Sequence, residues 1–343
     1  MANESLNILL LGARGQLGAE LSIGLEDPRV QASLNPQGLP LEITSWSRAD
    51  FDFANLSELA RQLEQRSPHI ILNACAYTAV DLAEDHEDEA MAINAQLPAL
   101  LAQQALQTQG VLVHYSTDFV FDGEKQTPYT EEDTPRPLSA YGRSKLAGEA
   151  AIERSGCQHL IFRTGWLMGA RGQNFLTTML RLGSERDALR VVADQWGAPT
   201  PASWLARMSL ESLAMGLKHS HDARAPHGAQ APKAWASSTA PWGLYHASSL
   251  GQTSWHGYAQ YALQKAQELG FALKVKPDSI EGIGTHDYPV KARRPTYSVL
   301  STEKLQRQWA ATPPDWQDAV CDVLKELQSL RQALERQAPP SGP

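Results

Sequence analysis

Cysteine is scarce: only Cys75, Cys157 and Cys321 occur in 343 residues, and no two form a CxxC pair. That excludes a disulfide scaffold and any cysteine-rich zinc site, and it suits a reducing cytosol. Long apolar runs are missing as well. Ile8–Leu11 and Val111–Val113 are far too short to cross a bilayer, so no membrane partner is expected. Met1-Ala2-Asn3-Glu4-Ser5 has no positive patch ahead of an apolar core, so no secretory leader is expected and the expected location is cytoplasmic. Positive charge is in deficit, with 30 Lys and Arg against 38 Asp and Glu, a net charge of −8. Such a balance argues against nucleic acid as a partner and leaves a local basic patch to hold a phosphate.

What the chain does have is rhythm. Short β-branched or leucine-rich runs alternate with longer amphipathic stretches, the pattern of a parallel sheet covered by helices. Strands are expected at Asn7–Leu11, Leu41–Trp46, His69–Asn73, Val111–Tyr115 and His159–Phe162. Helices are expected between them, at Asn55–Arg66 and at Glu87–Gln107, where Met91, Ile93, Leu97, Leu100, Leu101 and Leu106 form a broad apolar face. The fold class is α/β: a doubly wound parallel sheet of the Rossmann kind over residues 1–165. A smaller α/β part over 166–335 should bind substrate, with some chain crossing back. Its helices fall near Asn174–Leu182, Trp204–Leu217, Ser254–Leu269 and Asp315–Leu334. The stretch His219–Trp242 has no periodicity and reads as a surface loop, and residues 336–343 read as a disordered tail.

The first strand runs directly into Gly12-Ala13-Arg14-Gly15-Gln16-Leu17-Gly18 and then a helix. Gly12 can make the sharp strand exit, Gly15 lets backbone amides approach a pyrophosphate, and Gly18 allows tight helix packing. The helix N-terminus adds free N–H groups and a positive dipole end. After the second strand, Ser47 and Arg48 stand where an NAD enzyme usually carries an acid for the ribose hydroxyls. They could receive a 2′-phosphate, which makes NADPH the expected cofactor, with NADH as a second choice. Ala74 and Ala76, after the third strand, are small enough for a cofactor to lie against the backbone.

Tyr141 and Lys145 are four residues apart, a spacing that in a helix puts both on one face about a turn apart. An ammonium near a phenol favours the phenolate and would lower the tyrosine pKa, so that Tyr141 can protonate a carbonyl oxygen while hydride attacks the carbon. The spacing is cheap, and it recurs at Tyr261 and Lys265 inside an amphipathic helix with no glycine loop nearby, where it reads as structural. The company of Tyr141 differs: the strand through Tyr115 ends in Ser116-Thr117-Asp118, at the sheet edge where open α/β folds bind ligands. Thr117 could hydrogen-bond the same carbonyl. Cys75 reads as a small buried residue.

GARGQLG, NACAYTAVDLAE, YSTDFVFDG, SAYGRSKLAGE, FRTGWL, DQWGAPT and RRPTYSVLSTEKL occur in this order over nearly the whole chain. Together they resemble the extended short-chain dehydrogenase/reductase class and, within it, the dTDP-4-dehydrorhamnose reductase family. The resemblance implies that Tyr141 donates the proton, Lys145 also holds the nicotinamide ribose, and Thr117 polarises a C4 carbonyl. It places Gly15, Gln16 and Leu17 on the pyrophosphate, Asp52 and Phe53 near the adenine, and Ala76, Tyr77, Thr78 and Tyr115 along the cofactor path. Asp118, Trp166, Arg294 and Pro295 match positions around the sugar nucleotide, the small-molecule partner. A homodimer is compatible with it. Some relatives hold a divalent cation through glutamates at a dimer contact, but only Glu20 and Glu303 are candidates here and no metal is expected.

Two other readings share these residues. An epimerase or dehydratase with tightly held NAD also uses Tyr-x-x-x-Lys, although Phe119 follows Asp118 where a dehydratase would want glutamate. A non-catalytic regulatory subunit would keep the fold, yet has no need of Thr117, Tyr141 and Lys145 together.

Overall fold

The computed structural model describes residues 5–35, 38–222 and 240–337. At its centre five strands, β1 (Leu6–Leu11), β2 (Leu41–Trp46), β3 (Ile70–Asn73), β4 (Val111–Thr117) and β5 (Gln158–Thr164), lie parallel in the order β5-β4-β3-β1-β2. Alternate residues of β1 point to opposite faces, as the pleat requires. Leu6, Ile8 and Leu10 join a core with Leu17 and Leu21 of helix α1 (Gln16–Glu26), whereas Leu9 and Leu11 join one with Leu59, Leu63 and Leu101. Helices on both faces explain why Ile8–Leu11, Ile70–Leu72 and Val111–Val113 read as unbroken apolar runs, whereas β2, at the sheet edge, is partly exposed.

A sixth parallel strand, Gly243–His246, pairs with β5 through Leu244↔Ile161 and Tyr245↔Phe162. The chain therefore returns to the main sheet late. The helix Ala202–Asp222 makes the same return, burying Leu205, Leu213 and Leu217 in the core that holds α1. The sixth strand was not expected, because four residues beside Pro241 and Trp242 carry too little pattern to be read.

The expected helix Glu87–Gln107 is three joined segments, with a π turn at Ala92–Gln96 between Glu87–Met91 and Leu97–Gln107. Pro98 has no N–H for the carbonyl of Asn94, so the ladder widens there. The second half builds its own core from Met168, Leu176, Tyr258, Ala262, Val320 and Leu324. Its sheets are small: Leu189–Val192 with Ile280–Ile283, and Trp196–Gly197 with Thr253–Ser254. The last helix runs through Arg336 and Gln337, so these two residues of the expected tail are helical. The rest of that tail and most of the 219–242 loop lie outside the described residues. Among the described residues no helix is long and apolar enough to cross a membrane.

Candidate active site

The order of strands reverses between β1 and β3, and a crevice opens at their carboxyl ends, where doubly wound sheets bind ligands. Gly12 turns out of β1 at φ +81 with its N–H donated to the carbonyl of Trp46 at 2.8 Å. A Cβ on Gly12 would stand 2.7 Å from the carbonyl carbon of Ala74, so only glycine lets the two strand exits touch. Gly15 caps α1, and no side chain bonds the N–H groups of its first turn. Those donors and the positive end of the helix dipole face an anion-sized space.

The cleft has a volume of about 810 Å³. It brings together Gly12, Gly15, Gln16, Leu17, Ser47, Arg48, Phe53, Ala74, Ala76, Thr78 and Tyr115 with Thr117, Asp118, Tyr141, Lys145, Trp166 and Arg294. Gln16 presents a buried Nε2 without a partner among the described residues, as a site for an anionic ligand would.

Three expected cofactor residues are not brought to the cleft wall. Gly18 packs on the carbonyl of Gly12, where a side chain would collide, and so shapes the loop from behind. Asp52 is exposed and accepts the N–H of Ala54 at 3.0 Å. Tyr77 packs with Ala83, Ala90 and Ala140, its backbone held by Asn94 at 2.9 and 3.0 Å. Ser47 does reach the cleft, but its hydroxyl donates to Asp50 at 2.5 Å, which turns its proton away from a phosphate. Arg48 remains exposed at that end. Arg14, inside the glycine loop and not among the expected cofactor residues, lines it too.

The helix Ala140–Ser155 begins at Ser139, whose hydroxyl accepts the N–H of Gly142 at 3.1 Å. Its first turns carry Tyr141 and Lys145 under the end of β4. Tyr141 lies edge-on to Phe119, 5.6 Å between ring centres, with the Thr117 hydroxyl near enough to act on its phenol. Burial pushes its phenol up to about 12, although the Thr117 contact works the other way. The expectation that Lys145 lowers this pKa is not met. The Lys145 Nζ is turned inward instead, donating to the carbonyl of Tyr115 at 2.5 Å and lying 3.4 Å from Nε2 of His114. Its burial brings the ammonium down to about 8.

Thr117 Oγ1 donates to Asp118 Oδ1 at 3.1 Å, and Ser298 Oγ donates to Asp118 Oδ2 at 2.5 Å. Burial raises the Asp118 carboxyl to about 6 despite both contacts. Trp166, with φ +49, stacks on Trp255 at 3.5 Å, and its ring lies so close to Gly197 that a Cβ there would overlap it. Arg294 gives Nη2 to Asp81 at 2.7 Å and keeps a buried Nε without a partner among the described residues. Ser298, Trp255 and Gln195 also line the cleft. Ser298 and Gln195 fall inside recognisable motifs, RRPTYSV and DQWGAPT, whereas nothing local marks Trp255 as different from a core aromatic.

The second pair ends elsewhere. Lys265 bonds Glu268 at 2.7 Å and Tyr261 packs edge-on to Trp316, neither of them in the cleft. Glu20 is bonded by Arg171 at 2.8 Å. Among the described residues no cluster of three or more His, Cys, Asp or Glu could hold a metal ion.

A glycine-turned dinucleotide loop beside a buried Tyr-x-x-x-Lys pair, at the carboxyl edge of a parallel sheet, defines a short-chain dehydrogenase/reductase. Residues 6–329 match the family described as RmlD substrate binding domain, and the chain belongs to that family. It is 40% identical over 324 residues to a dTDP-4-dehydrorhamnose reductase of Burkholderia thailandensis, covering 94% of this chain and 100% of the relative. A solved dTDP-4-dehydrorhamnose reductase from Clostridium acetobutylicum superposes with a TM-score of 0.78 at 32% identity, over 94% of this chain and 100% of its own. One from Bacillus anthracis, in complex with NADP, gives 0.75 at 31% identity with the same coverage.

Proposed function

We propose that this protein reduces the C4 keto group of dTDP-4-dehydro-β-L-rhamnose to dTDP-β-L-rhamnose with NADPH, the last step in making that nucleotide sugar. The observation that carries the reading is the meeting of Thr117, Tyr141 and Lys145 with the glycine loop in one cleft. The names of the relatives, and the NADP held by one of them, supply the substrate and the cofactor.

The residues fit a dinucleotide: free α1 amides and Gln16 for the pyrophosphate, Phe53 for the adenine end, Arg48 and Arg14 for a 2′-phosphate. When bound, NADPH supplies the hydride. Tyr141 holds its proton firmly in the resting site and gives it to the C4 oxygen as charge develops there. Thr117 donates to Asp118 at rest, so its hydroxyl rotates to polarise the carbonyl. Lys145 lends positive charge to the ribose and the phenolate. Trp166 and Asp118 border the sugar, and Arg294 offers its unused Nε to a diphosphate oxygen. In this proposal residues 1–165 serve mainly the cofactor and 166–335 mainly the sugar nucleotide. A cytosolic location is supported by three unpaired cysteines; the homodimer rests on family likeness alone.

The test follows NADPH absorbance with dTDP-4-dehydrorhamnose, the wild-type protein beside Tyr141→Phe. Rapid oxidation lost in the variant is expected. Well-folded wild-type protein that binds nucleotide but leaves the absorbance unchanged would defeat the reductase reading.

A further inference from the structure

Behind the cleft, Asn73 and His114 are buried to 1% and 0% exposure, and the mechanism above gives them no work. Their hydrogen bonds can be followed atom by atom. The N–H of Cys75 donates to Oδ1 of Asn73 at 3.2 Å, which fixes the amide and turns its NH2 toward Nδ1 of His114 at 3.0 Å. An NH2 group has no lone pair to offer, so Nδ1 must accept. Burial holds the His114 ring far below its ordinary pKa and therefore neutral, and a neutral ring with a bare Nδ1 carries its proton on Nε2. That Nε2–H faces Lys145 Nζ at 3.4 Å. An ammonium there meets donor with donor. A free amine accepts the Nε2–H and still donates to the carbonyl of Tyr115.

We propose that His114, locked by Asn73 as the Nε2–H tautomer, is a positioning residue that destabilises the ammonium of Lys145, whose Nζ its Nε2–H faces. The free amine is the form His114 stabilises. The assignment rests on the reductase reading above and adds to it the residue that tunes Lys145.

The other groups around Lys145 do not cancel the effect. Tyr141 and Glu149 share its helix, Cys75 approaches from beyond β3, and His159 of β5 faces His114. Glu149 is neutralised by two bonds from Arg163 of β5, at 2.9 and 2.6 Å. The Cys75 thiol is pushed up to about 11 by burial and stays uncharged. Burial of Lys145 itself acts in the same direction as the facing N–H.

Nitrogen-15 NMR of the full-length protein reads the tautomer directly, with His114→Leu to assign the ring signals. The Nε2–H form is expected in the wild type, and Asn73→Asp should turn it to Nδ1–H because a carboxylate can only accept. In Asn73→Asp and His114→Leu the basic limb of the kcat profile should move up by about one pH unit, since the ammonium no longer faces an N–H. If Asn73→Asp does not fold, Asn73→Leu, which cannot fix the tautomer, carries the same measurement. An Nδ1–H ring in the wild type overturns the proposal, as does an unmoved basic limb in folded variants. A wild-type protein without reductase activity would fail the functional reading, and with it the tuning of a catalytic lysine. The NMR result would still decide the tautomer independently.

Discussion

Two helices of this protein carry Tyr-x-x-x-Lys, and they differ in nearly everything except the spacing. In Ala140–Ser155, Lys145 is 2% exposed, bonded to a backbone carbonyl, and its ammonium is weakened by burial. In Trp255–Glu268, Lys265 is half-buried, bonded to Glu268, and its ammonium is strengthened by that hydrogen bond. Tyr141 sits beside Thr117 at the carboxyl edge of the sheet, while Tyr261 reaches Cys321 at 3.3 Å in the packing of two helices. The spacing brings a phenol and an amine to one helix face in both places. What the amine then does depends on how much water surrounds it and which groups it meets.

Substitutions in matched pairs would sharpen this contrast. Tyr141→Phe should lower kcat by roughly 10²–10⁴-fold through loss of the general acid. Tyr261→Phe should leave kcat where it was; a comparable loss in both, measured by NADPH oxidation, would break the comparison. The ion pairs next to the two lysines come second. Glu149→Gln strands the guanidinium of Arg163 in the core and should cost about 3–5 kcal/mol in urea unfolding. Glu268→Gln, at an exposed pair, should leave the urea midpoint unchanged.

A smaller effect concerns pH. Asp118 titrates near 6 in the fold and at about 3.9 in an unfolded chain. The folded state thus binds the extra proton between those values: the group's contribution is complete below pH 4 and is lost as pH rises through 6. Glu268, held low by Lys265, has the opposite sign and loses its contribution as pH falls. Asp118→Asn should therefore shrink the drop in Tm between pH 5 and pH 7, and an undiminished drop would assign it to other groups. Smallest of all, Arg48→Ala should raise KM for NADPH about tenfold, the loss of one charge-assisted hydrogen bond, and spare NADH. Lys265→Ala should change neither value. Equal effects of Arg48→Ala on both cofactors would place the 2′-phosphate elsewhere.

The sequence by itself determined the five central strands, the glycine turn after the first of them and the amphipathic helix that ends at Arg66. Those signals are local: an apolar run buried on both faces, a residue that must take positive φ, an apolar period along a helix. The sixth strand, Gly243–His246, was invisible because its partner β5 lies some eighty residues earlier and four residues hold no period of their own. For the same reason Ser298 could not be tied to Asp118, nor His114 to Lys145: these are meetings across the fold between side chains that look ordinary in the chain. Asp52 and Tyr77 show the converse. Their motif positions matched, yet a turn took one and an alanine-lined contact the other. Charge state, too, was decided only by tertiary structure. A pKa depends on desolvation and on which donors face the group, and both exist only once distant strands have closed over the lysine.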